Sequence, residues 1–159
     1  MFFTSLRTLY LLFYLVVASQ GLFYFVGVHK ALASISLDAF AEQRKAVDLA
    51  VAGPLKFIYI GGLLIGSFAL LLFRKHYCTL EYITLAIAFL FMSADVIVAS
   101  KGNIPINQAF HYYPSSNDLT TWNELREQWL RFILIRGGLS VTGLLTLLAG
   151  FIIPKFSEL

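Results

Sequence analysis

Asp95 and Arg136 are the residues of this sequence best placed to do chemistry. Each sits inside a long apolar run, Asp95 about one helical turn before the end of one run and Arg136 about one turn into the next. Ionisable groups at such depth are costly and usually face a bundle interior or a cavity. A carboxylate and a guanidinium at matched depth should pair, because neither is tolerated alone in hydrocarbon. The pair is either a clamp between two helices or a clamp that also positions a ligand. In the second case Arg136 would stabilise an enolate or phenolate, since fixed positive charge in a dry site favours a developing anion. Asp95 would hold Arg136 and act as a base, weakened by the ion pair.

Asn103 and Asn107 bring amides to the same region. They either donate hydrogen bonds to substrate oxygens or satisfy the backbone of their own loop. Asp95, Arg136, Asn103 and Asn107 are therefore the candidate catalytic residues. Gln20, Lys56, Tyr59, His111, Trp122 and Trp129 are the candidate substrate-binding residues. Trp122, Trp129 and Arg136 recur at heptad spacing on one helical face. Tyr59, with Phe23, Tyr24, Phe25, Phe110, Tyr112 and Tyr113, could wall a pocket for a flat apolar ligand. The alternative for these aromatics is ordinary core or interfacial belt.

Other chemistries find little support. His29, Glu42, Asp95 and His111 can reach one side, but none shows HxxxH or ExxH spacing, so no metal site is assigned. Cys78 is the single cysteine, which excludes an internal disulfide, a CxxC pair and a multi-thiolate site. GxSxG, Walker and Rossmann patterns are absent. Nothing in the sequence requires a cofactor. The net charge of +3 is too small to suggest nucleic acid; a basic excess here suits loops facing anionic lipid.

The elements that must position these residues are four apolar stretches, Leu9–Val28, Phe57–Phe73, Tyr82–Ala99 and Phe132–Ile153, read as spans at about 9–28, 54–73, 80–100 and 129–153. Each is long enough to cross a hydrocarbon core of ~30 Å at ~1.5 Å per residue. Only 13% of the residues are charged and 58% are hydrophobic, with a mean hydropathy of +0.76; soluble domains carry about 25% charged residues. The fold class is therefore an all-α integral membrane four-helix bundle, one domain over 1–159, with helical extensions in loops one and three. Because spans alternate in direction, Gln20, Lys56, Asp95, Arg131 and Arg136 all fall in the half next to loops one and three. The other half offers only the flanking Arg74 and Glu81. Val17-Ala18-Ser19 resembles a cleavage site, but the apolar run continues to Val26, too long for a signal peptide, so the first helix reads as retained. Arg7, Arg74, Lys75 and Lys155 put both termini and loop two on the cytoplasmic face.

Loop one predicts an amphipathic helix from Leu37, capped by Ser36 or Asp38. Leu37, Phe40, Val47 and Val51 share a face that Arg44 interrupts, and Glu42, Lys45 and Asp48 lie away from it. The helix lies at the interface or leads into span two, with Gly53-Pro54 as the joint. Gly62 and Gly66 form a GxxxG pair, for packing within the chain or for a dimer. In loop three, Pro105 disfavours helix at Ile104. A turn follows at residues 115–118, and Thr121 with Glu124 makes a capping box for a helix running straight into span four.

Two segments resemble a known family. Asn103-Ile-Pro105-Ile-Asn107, followed by Trp122, Leu125-Arg126, Trp129 and Arg136, is similar to the pattern of the anthrone oxygenase-like family of small four-span membrane proteins. Ala31-Leu32 and Phe40-Ala-Glu-Gln-Arg44-Lys-Ala-Val-Asp48 resemble its first loop. Two departures stand out: His29-Lys30 where members often have Pro, and Phe132-Ile133 where many have Asn or His. The resemblance covers nearly the whole chain. It implies an oxygenase-like enzyme that converts an anthrone-type, lipophilic aromatic or quinol substrate without a recognised cofactor. The rival expectation is a non-catalytic membrane subunit that binds membrane lipid, a quinone or a partner helix, with an oligomer or larger membrane complex left open.

Overall fold

The computed structural model describes residues 2–114 and 118–156, with side chains through residue 153. The turn expected at residues 115–118 therefore lies largely outside the described residues, as does the side chain of Lys155. Helix α1 spans Phe2–Phe23 and continues through Tyr24–Val28, where a kink at the non-helical Gly27 (φ 165°, ψ −19°) leads into the short α2, His29–Ser34. Helix α3 spans Leu37–Leu72, α4 Leu80–Val98, α5 Ile104–His111 and α6 Leu119–Phe156. A π turn, Ala99–Asn103, joins α4 to α5. Among the described residues four helical segments are long and apolar enough to cross a membrane: Phe2–Ser34, Leu37–Leu72, Leu80–His111 and Leu119–Ile153. The protein is a four-helix integral membrane bundle.

Local chemistry explains most of the boundaries. Ser36 caps α3, its hydroxyl accepting the Ala39 N–H at 3.2 Å, and Thr79 does the same for α4 from Tyr82 at 3.3 Å. A single 3-10 turn, Arg74–His76, separates α3 from α4. Three expectations need correction. The Gly53-Pro54 joint does not form: Pro54 is internal to a continuous α3, although proline has no N–H to donate to the helical ladder there. Ile104 is helical (φ −64°, ψ −50°) despite Pro105, because the π turn lets its N–H bond Ala99 O and leaves Pro105 in the first turn of a new helix. The cap of α6 is Asp118 rather than Thr121: its Oδ1 accepts the N–H groups of Thr120 and Thr121, each at 3.2 Å.

At ~1.5 Å per residue, the 36 residues of α3 and 38 of α6 reach ~54–57 Å, well beyond a ~30 Å hydrocarbon core. The tight turn at Arg74–His76 fixes one end, so the surplus projects on the side of loops one and three. Two cores result. Tyr10, Tyr14, Val17, Leu85, Met92 and Leu147 fill the bundle, where packing rather than water exclusion holds helices together. Gly62 faces Met92, and Gly66 faces Phe89 and Tyr10, so the GxxxG pair serves packing within the chain. Leu32, Phe40, Ile106, Phe110, Trp122 and Trp129 form a second core in the projecting part. There, fully burying Phe40 contributes about 1.5–3 kcal/mol.

Candidate functional site

Between the two cores α4 delivers Asp95, the π turn Asn103 and α6 Arg136. Arg136 Nε donates to Asp95 Oδ1 at 2.6 Å, and its Nη2 donates to the Tyr59 hydroxyl at 3.0 Å. Tyr59 in turn donates to Asp95 Oδ2. A longer contact, 3.5 Å, joins Arg136 Nη1 to Asn103 Oδ1. The three ionisable groups thus form a closed ring that ties α3, α4 and α6 together. Asp95 is 1% exposed, and the opposite charge of Arg136 is what makes that burial tolerable.

The π turn matters to this geometry. Widening the helix by one residue per turn points Asn103 at α6, where its amide donates to Trp129 O at 3.1 Å. The approach is close: a Cβ on Gly102 would stand 2.6 Å from the Phe132 ring, so glycine is needed there. A small chamber of about 10 Å³ lies beside the ring, lined by Gln20, Tyr59, Asp95, Arg136 and Ser140 among others. This is about the space of one water.

A much larger cleft, about 740 Å³, opens on the same ring. That volume falls in the range of ~300–1,000 Å³ usual for small-molecule sites. One wall is a stripe of α3 from Arg44 to Leu63; the other is α4, the π turn and α5, from Val96 to Gln108. Tyr24, Trp129, Ile133 and Arg136 close the back. Most of the lining is apolar, with polar groups placed along it.

Of the residues expected from sequence, Gln20, Tyr59, Asp95 and Arg136 meet at the small chamber, and Gln20, Lys56, Tyr59, Asn103, Asn107, Trp129 and Arg136 line the cleft. Lys56 is exposed on its open side. Three others sit elsewhere. Trp122 packs in the second core, 5.4 Å from the Phe110 ring and 5.1 Å from Tyr113. His111 lies on the outer surface of α5, bonded to Asp48 at 2.9 Å. Arg131 is exposed, 3.8 Å from Glu127. The heptad spacing put Trp122 on the right face but above the cleft, where α5 covers it.

Two site residues escaped the sequence reading. Asp48, placed there on the outer face of its helix, lines the cleft; its oxygens accept Asn107 Nδ2 and pair with His111 Nε2, both at 2.9 Å. Asn107 completes the link by accepting Trp129 Nε1–H at 2.7 Å. Arg44 is 4% exposed, its guanidinium 4.1 Å from the centre of the Trp129 ring. Its interruption of an otherwise apolar face was the available signal. The described residues contain no group of three or more His, Cys, Asp or Glu side chains arranged to hold a metal. No family model, curated protein or solved structure matches the chain.

Proposed function

We propose that the protein is a membrane-embedded, oxygenase-like enzyme acting on a lipophilic aromatic or quinol-type substrate held in the cleft. One observation carries this reading: an apolar cleft of about 740 Å³ that meets a buried Tyr59–Asp95–Arg136 ring. The resemblance to the anthrone oxygenase-like family supplies the reaction class. In such a reaction an anthrone CH2 becomes a carbonyl; O2 gives one oxygen atom to the product, and the other leaves as water with the two hydrogens lost from carbon. Tyr59 lines the cleft, donates its only proton to Asp95 and accepts from Arg136, so a proton exchanged with substrate would be relayed through its hydroxyl to the Asp95 carboxylate. Asn103 and Asn107 each commit an amide N–H to the protein, which suits them to holding the wall.

The test is oxygen uptake by the full chain in lipid nanodiscs supplied with anthrone. Uptake above the protein-free rate, with one anthraquinone formed per O2, is the expected result. Tyr59→Phe should lower it at least about tenfold. The closed ring of bonds favours a second reading, a non-catalytic protein that binds a lipid or quinone beside a structural clamp. No uptake, together with a quinone or lipid extracted in stoichiometric amount from the purified protein, would favour that one.

We also place both termini and the α3–α4 turn on the cytoplasmic side, on the strength of Arg7, Arg74 and Lys75. Cys78 is exposed at that turn and is the only cysteine. A membrane-impermeant maleimide should therefore label it in lysed cells but not in intact ones.

A further inference from the structure

Arg44 and Arg136 both line the cleft but differ in what satisfies them. Arg136 has Asp95, Tyr59 and Asn103. Arg44 donates its Nε to the neighbouring Gln43 Oε1 at 2.7 Å and lies flat over Trp129. Its Nη2 is buried with no hydrogen-bond partner. The nearest carboxylate on its own helix, Asp48, lies one turn further on, with one oxygen bonded to Asn107 and the other to His111. Tyr24, just after α1, also lies in hydrogen-bonding position to the guanidinium, which leaves Nη2 as the unpartnered nitrogen. An aromatic face steadies a cation but does not replace a hydrogen-bond acceptor. A guanidinium with an unpartnered Nη2 and no carboxylate of its own, on the wall of a ligand-sized cleft, favours an oxyanion from outside the chain.

The shape of the cleft says what else that ligand carries. Its α3 wall runs from Arg44 to Leu63, ~28 Å at ~1.5 Å per residue. Beyond Arg44 the stripe is mainly Val47, Val51, Leu55, Ile60 and Leu63, broken by Asp48, whose oxygens are taken up by Asn107 and His111, by Lys56 on the open side and by Tyr59 at the ring. We infer that the cleft takes a lipophilic oxyanion, a carboxylate or phenolate on an extended apolar body, with the charged oxygen on Arg44 and the body lying along α3 toward Leu63. This rests on the reading of the cleft as a small-molecule site and makes Arg44, rather than Arg136, its anchor. An acidic aromatic and a bilayer fatty acid share this chemistry.

The experiment uses the full chain in nanodiscs and a fatty acid bearing a diazirine at its methyl end. Anthracene-9-carboxylate is the aromatic probe, and the methyl ester of each acid is the neutral control. Photolabelling should fall on Tyr59–Leu63 and Val96, the end of the cleft away from Arg44. Each acid should bind about tenfold or more tightly than its ester, and Arg44→Gln should erase that preference. If only the fatty acid shows the preference, the ligand comes from the bilayer; if only the anthracene acid does, it is an acidic aromatic. Both outcomes support the anchor. Equal binding of acid and ester by the wild-type chain overturns it while leaving the cleft a ligand site. So does a preference that survives Arg44→Gln. Failure of acids and esters alike to bind the cleft removes the small-molecule reading as well. Should Arg44→Gln not fold, the wild-type labelling decides alone: adducts near Val47 and Val51 mean a reversed ligand and sink the proposal.

Discussion

Two arginines at opposite ends of this bundle, Arg136 and Arg7, are satisfied in different ways. At the clefted end Arg136 is neutralised by Asp95 and bonded to Tyr59 beside about 740 Å³ of open space. At the opposite end Arg7, 5% exposed, donates its Nη2 to the Gly150 carbonyl at 2.6 Å and sits 4.1 Å from the Phe151 ring centre. The sequence explains that carbonyl. In a helix Gly150 O would accept the N–H of the residue four further on, and that residue is Pro154, which has none. Arg7 supplies the missing donor. A buried cation can thus be held by mending a defect in a neighbouring helix, even with its Nε left unpartnered; Asp95 and Arg136 have no such defect to mend, and their ring faces a cavity.

The largest effects should come from unbalancing the clefted end. Asp95→Asn leaves Arg136 with a buried, unpaired charge and should cost about 3–5 kcal/mol of bundle stability, measured by denaturant titration in mixed micelles. Asp95→Asn with Arg136→Met removes both charges and should recover most of that loss. The double variant should fold and still fail to turn over substrate. Unchanged activity in a stable double variant would reduce the ring to a clamp and make the two ends alike.

At the Arg7 end the expected loss is smaller. Arg7→Met leaves Gly150 O without a donor in a buried site, which costs about 1–3 kcal/mol. Adding Pro154→Ala restores the helical N–H, so the double variant should regain much of the stability. If Pro154→Ala brings no recovery, the Arg7 bond is incidental and the contrast between the ends loses its basis.

What could be read from the sequence follows from how far each signal reaches. Hydropathy fixed four spans because each is a long, local run. The pairing of Asp95 with Arg136 followed from depth alone, since consecutive spans run in opposite directions and equal distances from their shared loop reach the same depth. Arg44 and Asp48 were harder. Loop one is amphipathic as an isolated helix, and Asp48 reads as lying away from its apolar face; the structure packs α5 against α3, so Asp48 meets Asn107 and His111. Pro105 misled for a related reason: a rule for the residue before proline is a statement about an α-helix, and the π turn changes which carbonyl Ile104 reaches. Arg7 looked like a flanking charge because its partner lies 143 residues away.

Close packing beside the ring can be tested with a single methyl group. A Cβ on Gly21 would stand 2.6 Å from Gly137 Cα and 2.8 Å from Ser140 Oγ. Backbone cannot swing aside, so Gly21→Ala must push α1 from α6, costing about 1–3 kcal/mol. It should also loosen Arg136, one position from Gly137, and lower activity. Gly138→Ala is the control: nothing lies within 4 Å of its Cβ, so helix propensity alone acts and stability should hold or rise by up to ~1 kcal/mol. Equal losses at Gly21 and Gly138 would mean that α1 and α6 do not meet as described.

The smallest effect belongs to the start of α6, outside the spans and far from both arginines. Asp118 accepts the Thr120 and Thr121 N–H groups and the Thr121 hydroxyl. The Thr121 hydroxyl, and then its N–H, stabilise the carboxylate and hold its pKa below the ordinary aspartate value. A depressed pKa means the cap's contribution is fully present above the ordinary carboxylate range and is lost as pH falls through the lowered value. Amide exchange at Thr120 and Thr121 should therefore quicken in acid relative to the rest of α6, once the intrinsic pH dependence is removed. Asn also caps helices but does not titrate, so Asp118→Asn should keep the protection near neutral pH and abolish its acid loss. Trp122, buried in the second core within the first turn of α6, should confine the fraying to that turn. Activity should then be unaffected across the same pH range unless the ring itself titrates, which sets the cleft apart from the rest of the outer end.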